Sequence, residues 1–254
     1  MGVTRRLALR LEYEGTRYHG FQWQTKVPTV QGEIEQALQS LCGERIRVTG
    51  ASRTDAGVHA LGQVVSFLTH SALGVEAFVG GLNHFLPQDI AVRAAREARA
   101  DFHARRDALG RVYRYSILQR ATRSPLLQRY AARVSQALEG EAMHRAGQVL
   151  VGSHDFAGFA GPLEGPRKST MRNLYRVEVK EEGELLNLEI EGNAFLPQQV
   201  RRMAGALVQV GLGKMGIEGL HALLDGAVKG TAGPLLPACG LCLVRVNYPE
   251  GDNF

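Results

Sequence analysis

From residue 5 to residue 14 (RRLALRLEYE) apolar and polar positions alternate with the two-residue period of a strand. After a glycine- and tyrosine-rich stretch, Thr29 stands as a candidate N-cap. Val30, Ile34, Ala37, Leu38 and Leu41 follow at helical spacing. Residues 45–49 read as a short strand, 50–60 as a loop and 63–69 as a further strand. A short helix at 76–85 closes at Leu86-Pro87, and an alanine-rich strand covers 90–97. The predicted order is β-α-β-β-α-β.

The order repeats in the second half. A strand at 111–118 (RVYRYSIL) leads to a helix at 141–151 with Met143, Ala146, Gly147 and Leu150 on one face. Strands at 174–179 and 185–190 form a hairpin around Glu181-Glu182-Gly183. A helix at 198–210 turns Val200, Met203, Ala204, Leu207 and Val208 inward, and a strand at 241–246 ends the set. Two such runs predict an α+β protein of two tandem ferredoxin-like halves, residues 1–105 and 106–254, joined near 101–110. Their antiparallel sheets are expected to form a basic cleft.

Composition narrows the class. The 254 residues are 44% hydrophobic and 22% charged, as in globular proteins. No apolar run approaches the ~20 residues of a membrane helix, and the N-terminus lacks the pattern of a signal peptide. A cytoplasmic protein is expected. Cys239 and Cys242 form a CxxC without further ligand spacing for zinc, and they lie in a strand-like run, so strand cysteines are expected. Gly211, Gly213 and Gly216 match GxGxxG but follow a helix, which removes the dinucleotide-binding context and leaves them to end that helix. An oxidoreductase reading would rest on those glycines alone.

The net charge of +5 is unevenly spread. Residues 93–133 hold eleven arginines and no lysine against Glu97, Asp101 and Asp107, giving +8 and leaving −3 for the rest. Arginine's forked guanidinium suits phosphate, so a nucleic-acid partner is expected. Tyr113 and Tyr115 alternate with arginines in RVYRYSI, a run read as placing the aromatics on one strand face and Arg111 and Arg114 on the other. Such tyrosines are ordinary core residues or stacking surfaces for a base. Arg201 and Arg202 open the last long helix beside its apolar stripe.

The chemistry centres on GASRTDAGVHALGQVVSF, residues 50–67, where Arg53, Thr54 and Asp55 sit between Gly50 and Gly57. Asp55 is a nucleophile, a general base or a structural anchor paired with Arg53; the spacing leaves all three open. This stretch resembles the signature of the TruA family of tRNA pseudouridine synthases. Ordered blocks extend the resemblance along the whole chain: YEGTRYHGFQWQ (13–24), LNHFLPQDIAV (82–92), DFHARRDALGRVYRYSI (101–117), GSHDFAGF (152–159) and EGNAFLPQQVRRMAGALVQVG (191–211).

The resemblance implies an enzyme that isomerises uridine at positions 38 to 40 of the tRNA anticodon stem-loop. It implies no cofactor and no metal, and a homodimer in which one tRNA touches both copies. It assigns Asp55 as the catalytic aspartate, Tyr113 as the tyrosine against the target base, and Arg53 and Arg201 as substrate contacts. Residues 1–105 then form the RNA-binding half that carries the catalytic loop, and 106–254 complete the site. Arg105, Arg111, Arg114 and Arg202 are candidate RNA contacts. Arg53 or Arg201 beside Asp55 would hold it ionised. Pro197-Gln198-Gln199 stands where the family commonly has His-His-Met, and Arg202 where it has Asn; Pro197 is expected in the first turn of the helix. A non-catalytic RNA-binding or tRNA-folding module of the same fold is the alternative.

Overall fold

The computed structural model describes residues 4–162, 169–225 and 232–254, with ten strands and five α-helices among them. The chain divides into two compact units: Met1–Arg111 with Leu243–Phe254, and Val112–Cys242. The architecture is mixed, with helices and predominantly antiparallel strands in each unit.

In the first unit β1 (Arg5–Tyr13) lies between β3 (His59–Thr69) and β4 (Ile90–Ala98), antiparallel to both. Its alternating positions Leu7, Leu9 and Leu11 are fully buried, so the pattern in the sequence is one sheet face turned inward. The neighbouring Ala8 is buried too, as expected of a strand paired on both edges. Helices α1 (Val30–Cys42) and α2 (Val75–Phe85) cover the sheet, and the rings of Phe78 in α2 and Phe67 in β3 lie 6.1 Å apart. Thr29 caps α1 by accepting the Gly32 amide, and Gly43, at φ 74°, ends it with an amide bonded to the Gln39 carbonyl.

The strand expected at 45–49 shrinks to β2 (Thr49–Gly50), paired with β3 at Ser66 and Val65. Ile46 and Val48 are buried as an apolar pair should be. Side chains of α1 take the place of a strand neighbour: Glu35 accepts the Val48 amide and Gln31 donates to the Val48 carbonyl. Backbone satisfied in this way needs no ladder. The last strand, β10 (Leu241–Asn247), neighbours β3, and from Leu243 onward it belongs to the first unit. A side chain at Gly62 of β3 would strike the Val244 carbonyl at 2.4 Å, which accounts for the glycine there.

The second unit orders its strands as β5 (Gly110–Gln119, from Val112), β9 (Leu185–Gly192), β8 (Met171–Glu182) and β7 (Gly152–Asp155). The β8–β9 hairpin turns at Gly183, φ 64°, as its sequence predicts. Helix α3 (Gly140–Gln148) buries Met143, Ala146 and Gly147, and α4 (Gln199–Gly211) buries Val200, Met203, Ala204, Leu207 and Val208. The two helices meet where Gly211 leaves room for Met143. Gly211 ends α4 and Gly213 turns the chain at φ 68°, so these glycines punctuate a helix. The parallel strand β6 (Ala132–Val134), the edge strand β7 and helix α5 (Ile217–Leu224) were not foreseen; the first two are too short to show a period.

Replacing Thr29 by Ala removes the N-cap acceptor of α1 and should lower unfolding free energy by about 1 kcal/mol, with Thr29→Ser close to the parent. Urea denaturation measures both.

Candidate active site

Asp55 lies on the loop that joins β2 to β3, and each end of that loop is tied down. Gln63, fully buried, donates to the Ser52 carbonyl at 2.7 Å and accepts the Ser52 amide at 3.2 Å. The Tyr13 hydroxyl, at the end of β1, bonds the Thr54 hydroxyl at 2.8 Å. The amide of Val58 bonds the Asp55 carbonyl, closing a turn in which Gly57 takes φ 78°. The Gly15 amide donates to Nδ1 of the buried His59 at 3.0 Å, so that ring nitrogen serves as an acceptor. Thr54 is buried, while Asp55 is partly exposed.

The segment after β1 closes over this loop. Phe21 donates its amide to the Thr54 carbonyl (3.1 Å), and Gly57 donates to the Tyr18 carbonyl (3.3 Å). Tyr18 is itself fixed by a 2.6 Å bond to Asp89, which also holds Arg17 at 2.7 Å. Burial, then the Asp89 contact, pushes the Tyr18 hydroxyl well above its ordinary range, so it remains a donor at all working pH values. The approach leaves no room for side chains. A methyl group on Gly15 would sit 2.0 Å from the Val58 oxygen, and one on Gly20, at φ 90°, would sit 2.7 Å from the Thr54 oxygen. These clamp residues belong to YEGTRYHGFQWQ, a block that the sequence marks by resemblance without showing what it touches.

The arginines divide by what they bond. Arg111 is buried and donates to the carbonyls of Ala51, Arg105 and Ala108 at 3.1, 2.8 and 3.2 Å. It therefore braces the start of the Asp55 loop. Arg111 shares its strand parity with Tyr113 and Tyr115, which corrects the expectation that it faces away with Arg114; two residues along a strand return to the same face. Arg114 bonds Glu189 at 2.8 Å, and this bond, ahead of all other causes, holds the Glu189 carboxyl below its ordinary range. Arg53 and Arg105 are exposed and have no carboxylate partner among the described residues. They lie close enough for Arg53, after burial, to lower the affinity of Arg105 for its proton.

In the second unit Tyr113 is buried, and its ring meets that of Phe195 edge-on at 5.2 Å. Tyr115 is fully buried and donates to the Pro237 carbonyl at 2.8 Å, so it belongs to the core. Arg201, in the first turn of α4, donates from Nε to the Leu236 carbonyl at 2.8 Å. Arg202 approaches the Gln198 side chain at 3.5 Å. Pro197 precedes the helix and does not enter its first turn, because Gln198, at φ 60°, is the N-cap. Cys242 lies in β10 as expected, whereas Cys239 occupies a single 3-10 turn, Ala238–Gly240, just before that strand; neither is joined in a disulfide.

The family model described as tRNA pseudouridine synthase matches residues 11–107 and 146–249, a span that includes both the Asp55 loop and α4. The chain belongs to this family of isomerases. Among its curated relatives, tRNA pseudouridine synthase A of Roseiflexus castenholzii is 46% identical over 98% of this chain and 93% of its own length. The protein of the same name from Pelobacter propionicus is 43% identical over 96% of this chain and 100% of its own. A solved chain of a Cbf5-Nop10-Gar1 complex aligns with 94% of this chain and 58% of itself at TM-score 0.38 and 12% identity, a likeness too slight to carry weight.

Gly15→Ala must displace the Asp55 loop, and kcat for tRNA pseudouridylation should fall roughly a hundredfold, the cost of an ångström-scale misplacement. Single-turnover kinetics on a tRNA transcript measure it. Gln63→Leu strips both Ser52 backbone groups of their buried partner and should cost about 2–3 kcal/mol in urea unfolding.

Proposed function

We propose that the chain isomerises uridine to pseudouridine at positions 38 to 40 of the tRNA anticodon stem-loop, with Asp55 as its catalytic carboxylate. The observation that carries this reading is the Asp55 loop itself. Its flanks are fixed by buried hydrogen bonds, its acid is partly exposed, and Arg53 and Arg105 stand by it without acidic partners among the described residues. A loop held this firmly can present a reacting group without reorganising.

The reaction breaks the N1–C1′ bond, turns the uracil and joins C5 to C1′. The C5 proton leaves and N1 gains one, so atoms and electrons balance within the nucleoside. Asp55 acts on the nucleoside as carboxylate. Attack at C1′, attack at C6 and proton abstraction leading to a glycal all begin from that ionised state. The uridine must first leave its stack, which costs a few kcal/mol. Tyr113, steadied by Phe195, packs against the extruded base and offsets part of that cost. Arg53 and Arg105 take backbone phosphate, for which two guanidiniums without carboxylates are suited. Arg201 and Arg202 serve the same substrate from α4. Arg111 and Arg114 enter the RNA surface more indirectly, since their side chains already bond protein groups.

The reading includes two ferredoxin-like halves, residues 1–105 carrying the catalytic loop and 106–254 completing the site, and a cytoplasmic homodimer acting on tRNA. The β-α-β-β-α-β order from β1 to β4 supports the first half. Among the described residues no helix is long and apolar enough to cross a membrane.

Tritium release from a tRNA transcript labelled at uridine C5 tests the assignment. The unaltered protein should release label from positions 38 to 40, and Asp55→Ala should release none while binding the transcript with about the same affinity. Release that survives Asp55→Ala would remove the acid from the chemistry. Tight binding without release by the unaltered protein would favour a non-catalytic RNA-binding module.

A further inference from the structure

Beside the clamp segment lies a depression of about 540 Å³ lined by Trp23, Glu35, Gln39, Arg45, Ile46 and Arg47, among others. Trp23 is the chain's single tryptophan, and it is 44% exposed. A ring of that size left in water is costly unless something covers it.

The ring is held in place. The Trp23 amide donates to Gln31 Oε1 at 2.9 Å, which ties the loop to α1. The Arg47 guanidinium lies over the indole at 4.8 Å from its centre and is anchored to Glu35 at 2.9 Å. Glu35 is itself fixed by Gln31 at 2.7 Å and by the Val48 amide at 3.1 Å. A side chain on Gly32 would bring its Cβ within 3.7 Å of the indole. The Glu35 charge is thus answered inside the protein. Arg45 is left as the lining cation without a carboxylate partner among the described residues.

We propose that this depression is a second RNA subsite, where an unpaired tRNA nucleotide other than the target stacks its base on Trp23 and sets its phosphate against Arg45. The proposal rests on the reading that the chain acts on tRNA. An aromatic platform with a neighbouring guanidinium is the chemistry that holds single-stranded nucleotides without reading their sequence. The subsite also adjoins the catalytic loop. Phe21, two residues before Trp23, bonds the carbonyl of Thr54, next to Asp55. Two residues span at most about 7 Å, so the backbone at Trp23 lies within that reach of the residue that bonds the Asp55 loop.

Because Trp23 is the only tryptophan, selectively excited fluorescence of the unaltered protein reports on this place alone. Titration with a tRNA transcript should quench it saturably, at concentrations that rise with salt. In tritium-release kinetics, Trp23→Ala should raise KM for tRNA about tenfold with kcat nearly unchanged, and Trp23→Phe should recover most of the loss. Arg45→Ala should raise KM less and flatten the salt dependence. Fluorescence that stays constant while the transcript saturates turnover overturns the proposal, even if Trp23→Ala fails to fold. So does an unchanged KM in a folded Trp23→Ala protein, or quenching that follows protein concentration instead of RNA. Saturable quenching without tritium release would sustain the subsite and remove the isomerase reading, so the two fail separately.

Discussion

The geometry around Asp55 depends on one close approach, that of the glycine-bearing segment after β1 to the backbone of the loop before β3. Gly15 and Gly20 bring main chain so near the carbonyls of Val58 and Thr54 that a single methyl group would force them apart. Around this contact the polar groups of the loop find partners in Tyr13, Tyr18, Phe21 and Gln63, and the Gly15 amide finds one in His59. Buried hydrogen bonds of this kind contribute modestly when made and cost much when one partner is lost. The loop is therefore fixed more by the penalty for moving than by any single strong bond.

The same logic governs the arginine-rich stretch. A run of +8 suggests a polyanion partner, yet much of it is engaged within the protein. Arg96 and Arg99 hold Asp252 near the C-terminus, Arg111 bonds three carbonyls, one of them that of Ala51 at the start of the Asp55 loop, and Arg114 pairs with Glu189. Arg105 of this stretch has no carboxylate partner among the described residues and, with Arg53 of the Asp55 loop close by, is available to phosphate. Charge counted along a sequence overstates the charge offered to a ligand, because guanidinium is equally suited to capping carbonyls and pairing acids.

The main elements were legible because their causes are local. Thr29 caps a helix wherever an apolar stripe follows it, and the leucines of β1 alternate because one sheet face is dry. The stretch at 45–49 misled because buried alternation marks a strand only if another strand satisfies its backbone; here Gln31 and Glu35 do so. Arg111 misled through parity, and Pro197 because a left-handed Gln198 separates it from α4.

The sequence by itself determined four of the five described helices, the long strands, the family, and the place of Asp55 on a loop between two strands. These follow from periodicity, capping and an ordered set of motifs, all carried by neighbours in the chain. Tertiary structure alone decided which arginines are engaged internally, which segment clamps the loop, and that the strand from Leu243 joins the first unit. It also decided that Trp23 stays open beside Arg45 and Arg47. Those outcomes turn on which donors and acceptors meet across dozens of residues, and such meetings leave no period in the sequence.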